Sequence, residues 1–179
     1  MDKNWKEIKG LAEEYAKGNM LNGLNCAESV FDACIRSGAL DASLDQVAYM
    51  SGFGGGVGCA GFTCGALSAA VFANCMVHGR KDPGAVPRST RGNELRERVY
   101  KRYNNMVSAF VEAAGSGLCG EIVDQFPDGY ADQDSRPNCI RICGEAAKIA
   151  VDYLQIEEDE VGDFEYDMSV IGLRGWTEN

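Results

Sequence analysis

The sequence predicts an all-α fold, a single-domain helical bundle carrying a glycine-rich, cysteine-bearing loop. Three observations lead there. Apolar residues recur at helical spacing through most of the chain, no segment alternates as a strand would, and no solenoid repeat or interdomain linker interrupts its 179 residues. That length suits one domain, residues 1–179 with an acidic C-terminal tail at 155–179, and folding it buries about 70% of the unfolded surface without disulfides or metals as staples.

Residues 4 to 17 place Trp5, Ile8, Leu11, Ala12 and Tyr15 on one face with charges between them, an amphipathic first helix. After a GNMLNGLN loop, Asn25 and Glu28 form a capping box that opens a second helix over Val30, Phe31, Ala33, Cys34 and Ile35. A short third helix is expected over Leu44 to Met50. The segment SGFGGGVGCAGFTCG then carries glycines at 52, 54, 55, 56, 58, 61 and 65, too many for regular structure. Thr63 is placed to cap a fourth helix from Cys64 to Val77, whose small residues permit close backbone approach. A long helix from about Ser89 to Ala114 follows, with Leu95, Val99, Tyr103, Met106, Phe110 and Ala113 as its apolar stripe, and Gly115-Ser116-Gly117 stops it. Cys119 to Val123 opens a short piece, FPDGYADQDSRP reads as loop, and Asn138 is placed to cap a last helix from Cys139 to about Leu154. From Glu157 to Asp167 the tail carries seven acidic residues, read as a solvated stretch or an electrostatic docking strip for a basic partner.

Seventeen Lys and Arg against 27 Asp and Glu give a net charge of −10, which repels phosphate backbones and excludes nucleic acid as a partner. No apolar run approaches the roughly 20 residues of a membrane span, so no membrane insertion is expected. The charged, amphipathic start is unlike a signal peptide, and the chain is expected to be cytoplasmic.

Eight cysteines, at 26, 34, 59, 64, 75, 119, 139 and 143, then point to metal binding or thiol chemistry rather than to a disulfide framework. Cys26, Cys64 and Cys139 each follow a capping residue. Each is therefore expected in the first turn of a helix, where unpaired N–H groups and the positive dipole end stabilise a thiolate or an anionic cluster. Cys119, flanked by Gly117 and Gly120, is the fourth candidate. Four thiolates from separate elements suit an iron–sulfur cluster, 2Fe-2S or 4Fe-4S, or a zinc ion. A working dithiol without metal is the alternative. Cys34 and Cys75 lie roughly 12 to 16 Å further along their helices than Cys26 and Cys64 at about 1.5 Å rise per residue. They are read, with Cys143, as core residues. Cys59, in the glycine loop, could add a ligand or a resolving thiol near Cys64. The loop from Gly52 to Gly61 is read as a lid whose backbone N–H groups can hydrogen-bond sulfur.

Asn25-Cys26-Ala27-Glu28-Ser29-Val30, the glycine loop into Thr63-Cys64-Gly65-Ala66, Cys119, and Cys139 ahead of Ala146-Ala147 together resemble the family labelled C-GCAxxG-C-C for its spaced cysteines. The resemblance spans about residues 20 to 155. It implies a small helical redox protein, related to the helical iron–sulfur module of split-Soret cytochrome c. It also implies that Cys26, Cys64, Cys119 and Cys139 are the functional set. Ala69 stands where the family's CGAxxG element ends in glycine. The implied role is cluster binding or electron transfer, read here as an electron carrier serving a redox partner protein rather than a substrate-specific enzyme; apart from the resemblance, the cysteines also allow a zinc-stabilised interaction module.

Two other signals carry less. Gly56-Val57-Gly58-Cys59-Ala60-Gly61 satisfies G-x-G-x-x-G, with Asp82 beyond it, but the preceding LDQVAYM reads as helix and not as the strand a dinucleotide fingerprint needs. His78, the single histidine, falls at a helix end and is read as a capping cation. A homodimer sharing the small-residue face of the Cys64 helix is a further expectation.

Overall fold

The computed structural model describes residues 3–173. The fold is all-α; among the described residues the only extended pairing is an isolated bridge between Thr63 and Leu118. Helix α1 (Trp5–Leu21) starts at Asn4, whose side chain accepts from Glu7 N. It runs through the first half of the stretch expected to be a loop, as far as Leu21. Helix α2 (Cys26–Arg36) has the expected capping box, with Asn25 Oδ1 accepting from Ala27 N and Glu28 N at 2.9 Å and Glu28 closing back on Asn25 N. Residues Leu44–Phe53 wind as 3-10 turns instead of an α-helix. Helix α3 covers Gly65–His78, α4 Tyr100–Ala114, α5 Cys119–Val123 and α6 Ser135–Leu154. The run leading into α4 is helical from Arg91, but Leu95–Val99 is π-wound.

One continuous core lies between α1, α2, α3 and α6, with α4 laid against α6 through Met106 and Phe110. Small residues set the spacing. Ala66, Ala69, Ala70 and Ala73 of α3 and Ala146, Ala147 and Ala150 of α6 are all completely buried, and α3 packs against both α2 and α6. The small-residue face expected to serve a dimer is thus used inside the chain. Gly144 acts likewise on the other side of α6, where a Cβ would stand 2.6 Å from Lys17 Cε of α1. Phe31 fills the centre and meets Phe72 edge-on at 5.4 Å between centroids. Asn74 Nδ2 donates to Ala70 O and to Ala150 O, tying α3 to α6 across the core. Asp32, on the buried side of α2, accepts from Asn19 Nδ2 and Arg36 Nε, so its carboxylate oxygens are not left unpartnered.

The acidic tail docks instead of trailing into solvent. Helix α7 (Glu158–Gly162) buries Val161, Arg98 pairs with Glu158 at 2.6 Å, and Asn105 Nδ2 donates to Glu165 O. Residues 174–179 of that tail lie outside the described residues. No described helix is long and apolar enough to cross a membrane. His78 closes α3, but in place of the expected cation on its own helix end, its Nε2 hydrogen-bonds Leu154 O at the end of α6, and burial together with the Arg102 charge lowers its pKa.

Candidate functional site

Asn25 does more than cap α2. Its Nδ2 also donates to Ser51 O, while the Ser51 hydroxyl donates to Glu28 Oε1 at 2.6 Å, so the capping box grips the entry to the glycine loop. The loop itself then turns left-handed. Gly55, Gly56, Val57, Gly58 and Cys59 have φ of 63°, 71°, 66°, 61° and 64° in succession, a conformation costing about 1–2 kcal/mol at each non-glycine position. At Gly56 no side chain fits in any case, because a Cβ would lie 2.6 Å from Phe62 N and 2.8 Å from Cys119 Cβ. Beyond the turn the chain pairs with the segment entering α5, through Cys119 N to Phe62 O (2.7 Å), Gly120 N to Gly61 O (2.9 Å) and Cys64 N to Gly117 O (2.8 Å). These bonds fix Cys64 and Cys119 side by side. Arg136 Nη2 donates to Met20 O and holds the start of α6, with Cys139, against the end of α1.

Cys26, Cys64, Cys119 and Cys139 consequently line one cavity of about 250 Å3, with Gly55, Ile122, Tyr130, Arg136 and Ile142 among its other walls. Cys26 and Cys119 open their helices as expected. Cys64 is instead the cap preceding α3, and Cys139 lies in the second turn of α6, which begins at Ser135 and accommodates Pro137 in its first turn, where no N–H is missed. Convergence therefore comes from packing, not from a shared helix-start position. Cys59 is exposed and lines an adjoining outer cavity with Cys119, and not the inner one with Cys64.

The inner thiols are electrostatically unequal. The Cys26 sulfur takes hydrogen bonds from the Cys64 thiol and from backbone N–H groups that include Gly55 and Ala27, which lower its pKa to about 6 against the opposing effect of burial. Cys26 is thus largely thiolate at neutral pH. Cys64, donor to that thiolate and itself buried, is held far above the ordinary thiol range. Burial, followed by the Cys26 charge, pushes Cys119 up to about 11 and also raises Cys139. The Cys26 sulfur lies against the start of α3 where only glycine fits; a Cβ on Gly65 would come within 2.6 Å of it.

Cys143 was expected to be core alone. It is fully buried, yet its sulfur reaches to 3.8 Å from Cys26 O and feels the Cys26 charge. The signal was in the sequence: Cys139 and Cys143 stand four apart and share one helix face. Cys34 is a core thiol as expected, raised to about 12 by burial. Cys75, expected in the core, is exposed on α3.

Among the described residues no three His, Cys, Asp or Glu side chains are grouped so as to hold a metal ion. An all-sulfur donor set with one thiolate already formed and N–H groups directed at it has the chemistry that holds either an iron–sulfur cluster or a zinc ion.

No curated protein and no solved structure matches the chain. Residues 24–153 do match the family model described as "Putative redox-active protein (C_GCAxxG_C_C)", and with all four inner cysteines inside that span the chain belongs to this family.

Proposed function

We propose that the inner cavity binds an iron–sulfur cluster through Cys26, Cys64, Cys119 and Cys139 and that the protein carries electrons. The observation behind this reading is that four thiols from four separate elements line one cavity of about 250 Å3 whose remaining walls include one cation, Arg136. When bound, the cluster supplies one-electron chemistry. The chain's own part is to bind and tune. Cys26 presents a thiolate without further proton loss, the Gly55 N–H supports its charge, and Arg136 opposes the accumulation of negative charge at the mouth. Val57, Phe62, Leu118 and Tyr130 are exposed near the rim and offer an apolar contact surface to a redox partner protein.

A second reading is supported by the hydrogen bond between Cys64 and Cys26: a metal-free dithiol in which Cys26 attacks and Cys64 resolves. Anaerobic purification with iron and sulfide analysis separates the two. Stoichiometric iron and sulfide, visible absorption bleached by dithionite, and loss of both in Cys64→Ser and Cys139→Ser support the cluster. Colourless protein whose Cys26 and Cys64 interconvert between dithiol and disulfide supports the second reading and refutes the first. Zinc at about one per chain refutes both.

A further inference from the structure

Outside the thiol-lined cavity lies a larger one of about 620 Å3 that shares Asn25, Gly55, Cys119 and Tyr130 with it. Gly54, Gly58, Gly61 and Gly120 give it a floor of bare backbone, and Tyr130, 71% exposed, forms an outer wall. Its size falls within the range of small-molecule sites. Two thiols face it. Cys59 is exposed, and its sulfur rests on Gly55, where a Cβ would be only 2.9 Å away. Cys119 is half-buried and is the cysteine common to both cavities. The bonds from Gly120 N to Gly61 O and from Cys119 N to Phe62 O hold the two segments together, and a charge on Cys59 is felt at Cys119.

We propose that the outer cavity is a thiol-exchange site for a low-molecular-weight disulfide, with Cys59 as the entering nucleophile and Cys119 as the resolving thiol. The Cys59 thiolate, its proton released to water, attacks one sulfur of the disulfide; that S–S bond breaks, and the leaving thiolate takes up a proton as the first free thiol. The Cys119 thiol then attacks the Cys59 sulfur of the mixed disulfide as its proton passes to the departing sulfur, which leaves as the second thiol. Two protein thiols are oxidised by two electrons to a Cys59–Cys119 disulfide, and the small disulfide is reduced to two thiols. The exchange needs Cys119 free of any guest in the inner cavity, and it is therefore read on the metal-free, reduced chain. One consequence does rest on the cluster reading: the disulfide withdraws Cys119 from the inner set, so loading follows the thiol redox state.

The test incubates the full chain with bis(2-hydroxyethyl) disulfide under anaerobic conditions, followed by alkylation and peptide mapping. Cys75, exposed but lining neither cavity, is the internal control. The expected result is a Cys59–Cys119 link with a second equivalent of thiol released, while Cys75 keeps its single adduct. Cys119→Ser should trap the adduct on Cys59, and Cys59→Ser should leave Cys119 open to alkylation. A persistent Cys59 adduct beside alkylatable Cys119, an unreacted Cys59, or Cys119 oxidised equally in Cys59→Ser overturns the proposal. Iron content of the reduced chain is measured separately, so failure to load a cluster refutes that reading and leaves the exchange result intact.

Discussion

Gly65→Ala perturbs the site with one methyl group. At the first position of α3 that methyl would meet the Cys26 sulfur at 2.6 Å and Phe53 O at 2.7 Å, both well inside van der Waals contact. Relieving such overlap costs typically about 1–3 kcal/mol, and alanine's advantage over glycine in a helix returns at most about 1 kcal/mol. The expected net change is a loss of about 1–2 kcal/mol. Gly18→Ala in α1 is the matched control, because no atom lies within 4 Å of the added Cβ and the helix gains about 1 kcal/mol. Urea unfolding of both variants under reducing conditions should therefore separate them by about 2–3 kcal/mol, or several degrees in Tm for a chain of this size. The displaced sulfur should also lose part of its hydrogen bonding, so the Cys26 pKa should rise in Gly65→Ala and stay near 6 in Gly18→Ala. Equal stabilisation by the two substitutions, with Cys26 titrating unchanged, would refute the close seating of Cys26 against α3.

Three other outcomes follow from the same geometry. Alkylation of Cys26 in the metal-free chain should be half-maximal near pH 6, and Cys64→Ala, by removing the donor, should move that midpoint upward; an unmoved midpoint would discount the thiol–thiolate pair. Because the folded pKa of Cys26 is depressed, its contribution to stability is complete above the unfolded value of about 9 and is lost as pH falls through about 6. The stability gap between wild type and Cys26→Ala should accordingly widen from pH 6 to pH 9 in urea titrations. Val57 holds φ of 66° with a branched, partly exposed side chain, so Val57→Asn, which tolerates this region, should stabilise the chain by about 1 kcal/mol in the same assay; destabilisation would show that Val57 contributes contacts worth more than its strain.

Local signals were legible where local chemistry decides. Asn25 and Glu28 mark the start of α2 because the capping box needs only residues three apart, and the glycines at 55, 56 and 58 mark a turn that L-residues resist. The same reasoning misplaced the start of α6. Asn138 and Cys139 look like a cap and first residue, but Ser135 is completely buried and Arg136 is bonded to α1, so tertiary contacts extend the helix backward past Pro137. Cys75 was assigned to the core from its place in an apolar helix. What the sequence could not supply was the roll of α3, which buries Ala66, Ala69, Ala70, Ala73 and Asn74 and turns Cys75 outward. Cys64 and Cys119 lie 55 positions apart, and nothing in their spacing announces the three backbone bonds that set them side by side.

The uneven titration of the inner thiols bears on what the cavity can hold. Four thiolates in so small a space repel one another, and that repulsion is already visible in the upward pressure of Cys26 on Cys119, Cys139 and Cys143. An empty cavity therefore settles near a single negative charge on Cys26, shared with the Cys64 proton. Only a cationic guest removes the penalty for ionising the others, so binding must release protons, about one for each thiol still protonated. The number released on loading, measured as acid titrated from a weakly buffered anaerobic solution, should approach three near pH 7 and rise toward four below pH 6 as Cys26 itself becomes protonated. A release of one proton or fewer near pH 7 would mean that the guest is held by Cys26 and at most one neighbour.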